Sequence, residues 1–208
     1  RQMCIRDRYM TWFSRWIPGL LAMWGGACAG PLPVVAIQPL GPVMAEDIAK
    51  VKAGITAIYA VNIEVLAGKP LPADAWYAPR RRHKAEEIVD VLSADLPARF
   101  SKILGLTQGD ISATTEEGND WGIMGLGQLG GKACVVSTFR LRAGNAGEKL
   151  FQARLVKVVN HELGHTFGVD HCPLAGCLMQ DKRGKIASVD AENGRPCAVC
   201  AARLPLKK

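Results

Sequence analysis

The chain has 208 residues, 49% of them hydrophobic, enough to bury one sizeable core in a single domain of two lobes. Its formal charge of +7 includes four arginines within residues 1–29, so the rest of the chain carries only a mild basic excess. No basic run is interleaved with aromatic residues, which argues against a nucleic-acid partner.

Residues 1–29 read as a leader, with the first eight residues set aside as debris of gene assignment. Arg15 supplies a positive start, residues 16–24 are largely apolar, and Ala27-Cys28-Ala29 gives the small-x-small ending of a signal-peptidase site before Gly30. The stretch is too short, and too interrupted by Pro18 and Gly19, for a stable membrane span. Cys28 after Gly26-Ala27 makes a poor lipidation site. Export to the periplasm or the medium is the expectation. The alternative is a cytoplasmic protein behind a misassigned extension.

From residue 30 a single domain is expected, with an upper lobe over about 30–168 and a lower lobe over about 169–208. Val34 to Ile37 is a short apolar run closed by Pro39-Leu40-Gly41 and reads as a buried strand. Residues 45–59 carry Ile48, Val51, Ile55 and Ile58 at helical spacing. Residues 61–66 alternate, with Val61, Ile63 and Val65 on one side, as a second strand. A loop with Pro70, Pro72 and Pro79 follows. Residues 83–96 then read as a helix through Ile88, Val91 and Leu92. The basic cluster Arg80 to Lys84, balanced by Glu86 and Glu87, reads as its solvated start. The β-α-β-α order points to a twisted, mostly parallel sheet with crossover helices.

Residues 101–106 form a third expected strand, followed by a turn at Asp110. Residues 122–127 and 132–141, separated by Gly130-Gly131, read as an antiparallel pair. Cys134, in the apolar run ACVV, reads as a buried small hydrophobe. Residues 148–167 form a long helix whose stripe of Phe151, Leu155, Val158 and Val159 faces the core.

That helix ends in His161-Glu162-x-x-His165-x-x-Gly168-x-x-His171. His161 and His165 stand four residues apart on one helical face, where two imidazole nitrogens can reach one ion. Glu162 is too close in sequence for a comfortable third ligand, but is placed to deprotonate a metal-bound water. Gly168 ends the helix by taking the left-handed conformation, and the turn lets His171 return to the ion. Three neutral imidazoles leave a fourth position open, as a catalytic zinc requires.

Cys172 and Cys177, then Cys197 and Cys200, form two short-spaced pairs joined by a longer loop. Such pairs suit a tetrahedral zinc site, so a second zinc is expected. In an oxidising compartment the same four could form two disulfides instead. Zinc is the preferred reading, because a Cys-x-x-Cys pair makes a strained disulfide and a good chelate.

With these spacings, and with Met179 two residues after Cys177, the segment from Val159 to Cys200 closely resembles the archaemetzincins. Their signature runs HExxHxxGxxxC, four residues, CxM, seventeen residues, CxxC. KACVVSTFRL and the LTQGDIS stretch upstream are similar more loosely. The resemblance implies a catalytic zinc on His161, His165 and His171, a structural zinc on the four cysteines, and Met179 in a turn beneath the active site. It also implies an α+β metzincin-type fold with a small, zinc-stapled C-terminal lobe. In metzincins a strand on the upper rim of the cleft accepts an extended substrate by β-addition, and residues 122–128 match it best; their glycines suit a strand that a peptide backbone approaches closely, and a loose hairpin equally.

The expected activity is that of a zinc-dependent endo- or aminopeptidase. Glu162 would act as general base and then protonate the leaving amine. Several metzincins add a tyrosine after the methionine turn, but this chain has tyrosines only at positions 9, 59 and 77. The rival reading is a zinc-stabilised peptide-binding module without turnover; Glu162 beside an open metal position argues against it. A cysteine-ribbon nucleic-acid binder would leave His171 and the upstream lobe unexplained. Nothing in the sequence calls for an oligomer, so a monomer is expected.

Overall fold

A computed structural model describes residues 31–114, 120–181 and 184–207. The leader assigned to residues 1–29 lies outside the described residues. The described residues include no helix long and apolar enough to cross a membrane.

Among the described residues, nine strands and five α-helices follow one another: β1 (Val34–Leu40), α1 (Ala45–Ile58), β2 (Asn62–Val65), β3 (Trp76–Tyr77), β4 (Arg82–Lys84), α2 (Ala85–Ala94), β5 (Lys102–Thr107), β6 (Ile111–Thr114), β7 (Asp120–Ile123), β8 (Gly125–Gly127), β9 (Ala133–Ser137), α3 (Glu148–Thr166), α4 (Ile186–Ala191) and α5 (Ala198–Ala201). The main sheet has the order β2-β1-β5-β9-β8. Its first four strands are parallel and β8 joins antiparallel, at the edge. The α+β class and the mixed sheet agree with the sequence reading.

Both faces of this sheet are covered, which explains the apolar run from Val34 to Ile37 that opens β1. Val35 and Ile37 turn towards Val51 and Ile55 of α1 and towards α3, whereas Ala36 and Leu40 turn towards Ile88, Val89 and Leu92 of α2. The α3 helix brings Phe151, Leu155, Val158, Val159 and Leu163 into the first of these cores. Each fully buried side chain of this size contributes about 1.5–3 kcal/mol, so the helix bearing the histidines is anchored along most of its length. Cys134 is wholly buried, as expected.

A second sheet, β3-β4-β6-β7, was not legible in the sequence. It corrects two expectations. The basic cluster does not begin a helix: Arg82–Lys84 is strand β4, and α2 starts only at Ala85. Its charges meet Asp110 and Asp120 rather than the helical glutamates, with Arg82 bonding both aspartates and Lys84 bonding Asp120. Residues 122–127 also do not form one strand. The chain changes sheets at Met124, so Asp120–Ile123 pairs with β6 and only Gly125–Gly127 pairs with β9. At β2, the opposite edge of the main sheet, Val61 is buried and Ile63 packs against the core, while Val65 at the end of the alternating stretch is exposed.

Candidate active site

Gly147, with an extended backbone, caps the start of α3 and is followed by Glu148 in the first turn, where a carboxylate suits the positive end of the helix dipole. It ends in a Schellman turn. Gly168 has φ +85°, its N–H donates to His165 O at 2.8 Å, and the Val169 N–H donates to Gly164 O at 3.3 Å. This turn has a second effect. It presents the Val169 carbonyl to His165 Nδ1 at 2.8 Å.

His161 is oriented in the same way by a different segment, since its Nδ1 lies 2.7 Å from Leu178 O. A carbonyl only accepts, so both Nδ1 atoms are the protonated ones and both Nε2 atoms carry lone pairs. Those two Nε2 atoms lie 3.1 Å apart. Two acceptors at that separation are reconciled by a cation shared between them, and such carbonyl partners are what metal-binding histidines commonly have. His171 completes the group: one ligand atom from each of the three residues lies within 4.8 Å of the others. Its backbone N–H is held by Asp170 Oδ1 at 2.6 Å, and its ring is exposed where the other two are buried. The three imidazoles therefore fit a metal ion.

These residues line a cleft of about 310 Å³ together with Glu162, the β8 glycines, Leu129, Asp170 and Asp181. Strand β8 presses closely on the helix. A Cβ on Gly125 would stand 2.6 Å from Glu162 Cγ, and one on Gly127 would overlap the Glu162 backbone carbonyl. The pairing register leaves Gly125 and Gly127 as non-hydrogen-bonded partners of Val136 and Cys134. Their N–H and C=O groups therefore turn away from β9, to the open edge of the sheet. The closeness of Glu162 gives these glycines a second reason, one that only the fold reveals.

Cys172, Cys177, Cys197 and Cys200 come together from the loop after α3 and from the start of α5, with their sulfurs within 4.8 Å of one another. Cys172 Sγ and Cys197 Sγ are 3.8 Å apart. A disulfide would need about 2.05 Å, whereas thiolates at about 2.3 Å from one tetrahedral zinc stand about 3.8 Å apart. The Cys200 backbone N–H, above all, lowers the Cys197 thiol to about 7, while burial pushes Cys177 and Cys200 up. Buried thiols of this kind ionise together only around a cation. The donor set fits zinc.

The two groups are mechanically joined. The Cys172 N–H donates to Met179 O at 2.7 Å and the Gln180 N–H to Cys177 O at 2.9 Å, so the turn that holds two cysteines also positions Leu178 and Met179. Met179 is wholly buried, below the helix at Gly164. Of the two described tyrosines, Tyr59 is buried and donates to Asn160 O at 2.6 Å, and Tyr77 lies under Lys84; neither lines the cleft.

Residues 47–206 match the model of peptidase family M54. The chain belongs to this family, the archaemetzincins. The archaemetzincin of Pyrococcus horikoshii is 34% identical over 160 residues, covering 73% of this chain and 81% of that protein. That of Haloarcula marismortui is 28% identical over 173 residues, covering 80% and 96%. Among solved structures, the archaemetzincin of Archaeoglobus fulgidus, complexed with malonate, superposes with a TM-score of 0.70 at 27% identity, covering 82% of this chain and 99% of that one. The Methanopyrus kandleri archaemetzincin superposes with a TM-score of 0.72 at 25% identity, covering 85% and 95%. As a member of the archaemetzincins, the chain is a zinc metallopeptidase with the α+β fold of that family.

Proposed function

We propose that the chain hydrolyses peptide bonds in its 310 Å³ cleft, with His161, His165 and His171 holding a catalytic zinc and Glu162 moving the proton. The observation that carries this reading is that the metal-fitting trio, the Glu162 carboxylate and the open edge of β8 all face one cavity. A zinc ion, when bound there, supplies a Lewis acid that polarises a carbonyl and makes water more acidic. The remaining steps belong to the protein. Gly125 and Gly127 offer N–H and C=O groups that can pair with an extended peptide backbone. Glu162 accepts a proton from the attacking water and then delivers it to the leaving amine nitrogen. Cys172, Cys177, Cys197 and Cys200 hold a second, structural zinc that staples the lower lobe.

The alternative, a peptide-binding module without turnover, would use the same edge but has no need of Glu162 beside the histidines. The test is mass-spectrometric cleavage profiling of a peptide library by the zinc-loaded protein and its Glu162→Ala variant. Cuts by the parent that disappear in the variant, with zinc content unchanged, are expected; their positions distinguish endopeptidase from aminopeptidase action. No cuts by either would favour the binding module.

A further inference from the structure

Trp121 is 59% exposed although it lies within a strand, β7, between two residues that are tightly fixed. On one side of β7, the Asp120 carboxylate bonds Lys84 Nζ at 2.9 Å and Arg82 Nη1 at 3.2 Å. Gly122 lies on that same side and is crossed by the Arg140 guanidinium, which occupies the place a Cβ would take. Arg140 is itself held by both oxygens of Asp110, at 2.8 and 2.9 Å. Alternation along the strand puts Trp121 and Ile123 on the opposite side.

Ile123 lines the cleft, and so does Gly184. The Trp121 Nε1 atom stands only 3.0 Å from where a Cβ on Gly184 would be, and Gly184 has φ +64°, so a side chain there would be strained as well as crowded. The indole thus abuts the cleft wall on a strand pinned by five charged side chains. A large exposed aromatic on a backbone held this rigidly has only its two side-chain torsions left to fix on binding, which makes tryptophan an effective recognition surface.

We infer that Trp121 is a specificity-determining residue of the cleft and packs against an aromatic or large aliphatic side chain of the peptide substrate. The inference rests on the peptide-cleft reading above. Its geometry assigns that preference to a single substrate position, at the end of the cleft where β7 leads into β8.

The test uses the full zinc-loaded chain with peptides varied one position at a time between Phe, Leu and Ala. In the parent, one position favours Phe or Leu over Ala in kcat/KM. In Trp121→Ala that preference ratio falls about tenfold, and in Trp121→Phe most of it is kept. A merely structural role would lower kcat/KM for all peptides and leave the ratio unchanged, which would overturn the inference. So would a loss of preference spread evenly over every position. The same peptides are also titrated by fluorescence anisotropy against zinc-loaded Glu162→Gln protein, with and without the Trp121→Ala change. If the parent cleaves nothing, the peptidase reading fails alone. A Trp121-dependent ratio of Kd values then still supports the inference, and a ratio that does not depend on Trp121 overturns it.

Discussion

A Cβ placed on Gly164 would stand 2.5 Å from Met179 Sδ, so the helix that carries His161 and His165 rests directly on the thioether. Only glycine between the two histidines permits that approach. Truncating the side chain should open a cavity beneath the metal site. Met179→Ala is expected to lower stability by about 2–5 kcal/mol, and Met179→Leu by less than about 1.5 kcal/mol. Denaturant unfolding of the two variants checks this. Zinc competition titration should show weaker binding in the alanine variant alone.

Gly125 faces Glu162 at a separation that excludes a methyl group. Gly125→Ala should therefore displace the carboxylate without touching the histidines. The expected result is a fall in kcat of about a hundredfold, within the range that general-base removal produces, at unchanged zinc content. Steady-state kinetics with metal analysis of the same samples decides it; loss of zinc would show that the substitution acts on the histidines instead.

The cysteine turn positions the carbonyl that orients His161. Disrupting it should be felt at the other site. On the two-zinc reading proposed above, Cys177→Ser is expected to release the lower-lobe zinc and weaken zinc binding at the histidines by about 10–100-fold, as loss of an orienting partner does. Limited proteolysis should then cut within residues 169–207, while the upper lobe stays protected.

Arg154 and Asp190 join α3 to α4 through two hydrogen bonds of 2.7 Å, with Arg154 buried. The bond from Arg154 holds the Asp190 carboxyl below its ordinary value of 3.8. A group depressed in the folded state contributes its stability above the unfolded value and loses it as pH falls through the folded one. The pair should therefore stabilise the protein fully above about pH 5 and fail progressively below about pH 4. Asp190→Asn is expected to cost about 1–3 kcal/mol at pH 7 and to flatten the acid limb of a stability profile measured by urea unfolding. An equally steep limb in the variant would assign the acid sensitivity to other carboxylates.

Local spacing determined much of this protein. His161, His165 and Gly168 are related by the period and termination of one helix, and the paired cysteines by short turns, so both donor sets could be read in advance. Strands β1, β5 and β9 were also legible, because strands covered on both faces are continuous apolar runs. The second sheet was not: β4 is Arg82–Lys84, and its stability comes from Asp110 and Asp120, far along the chain. Nor could the sequence divide residues 122–127 between two sheets, since glycine-rich stretches leave register to their neighbours. Only the tertiary structure decided which carbonyls orient the histidines, that Gly125 faces Glu162, and that Trp121 stands at the cleft wall. The physical reason is the same in each case. Periodicity fixes which face of an element a residue occupies, whereas the partner on that face is chosen by packing between segments distant in sequence.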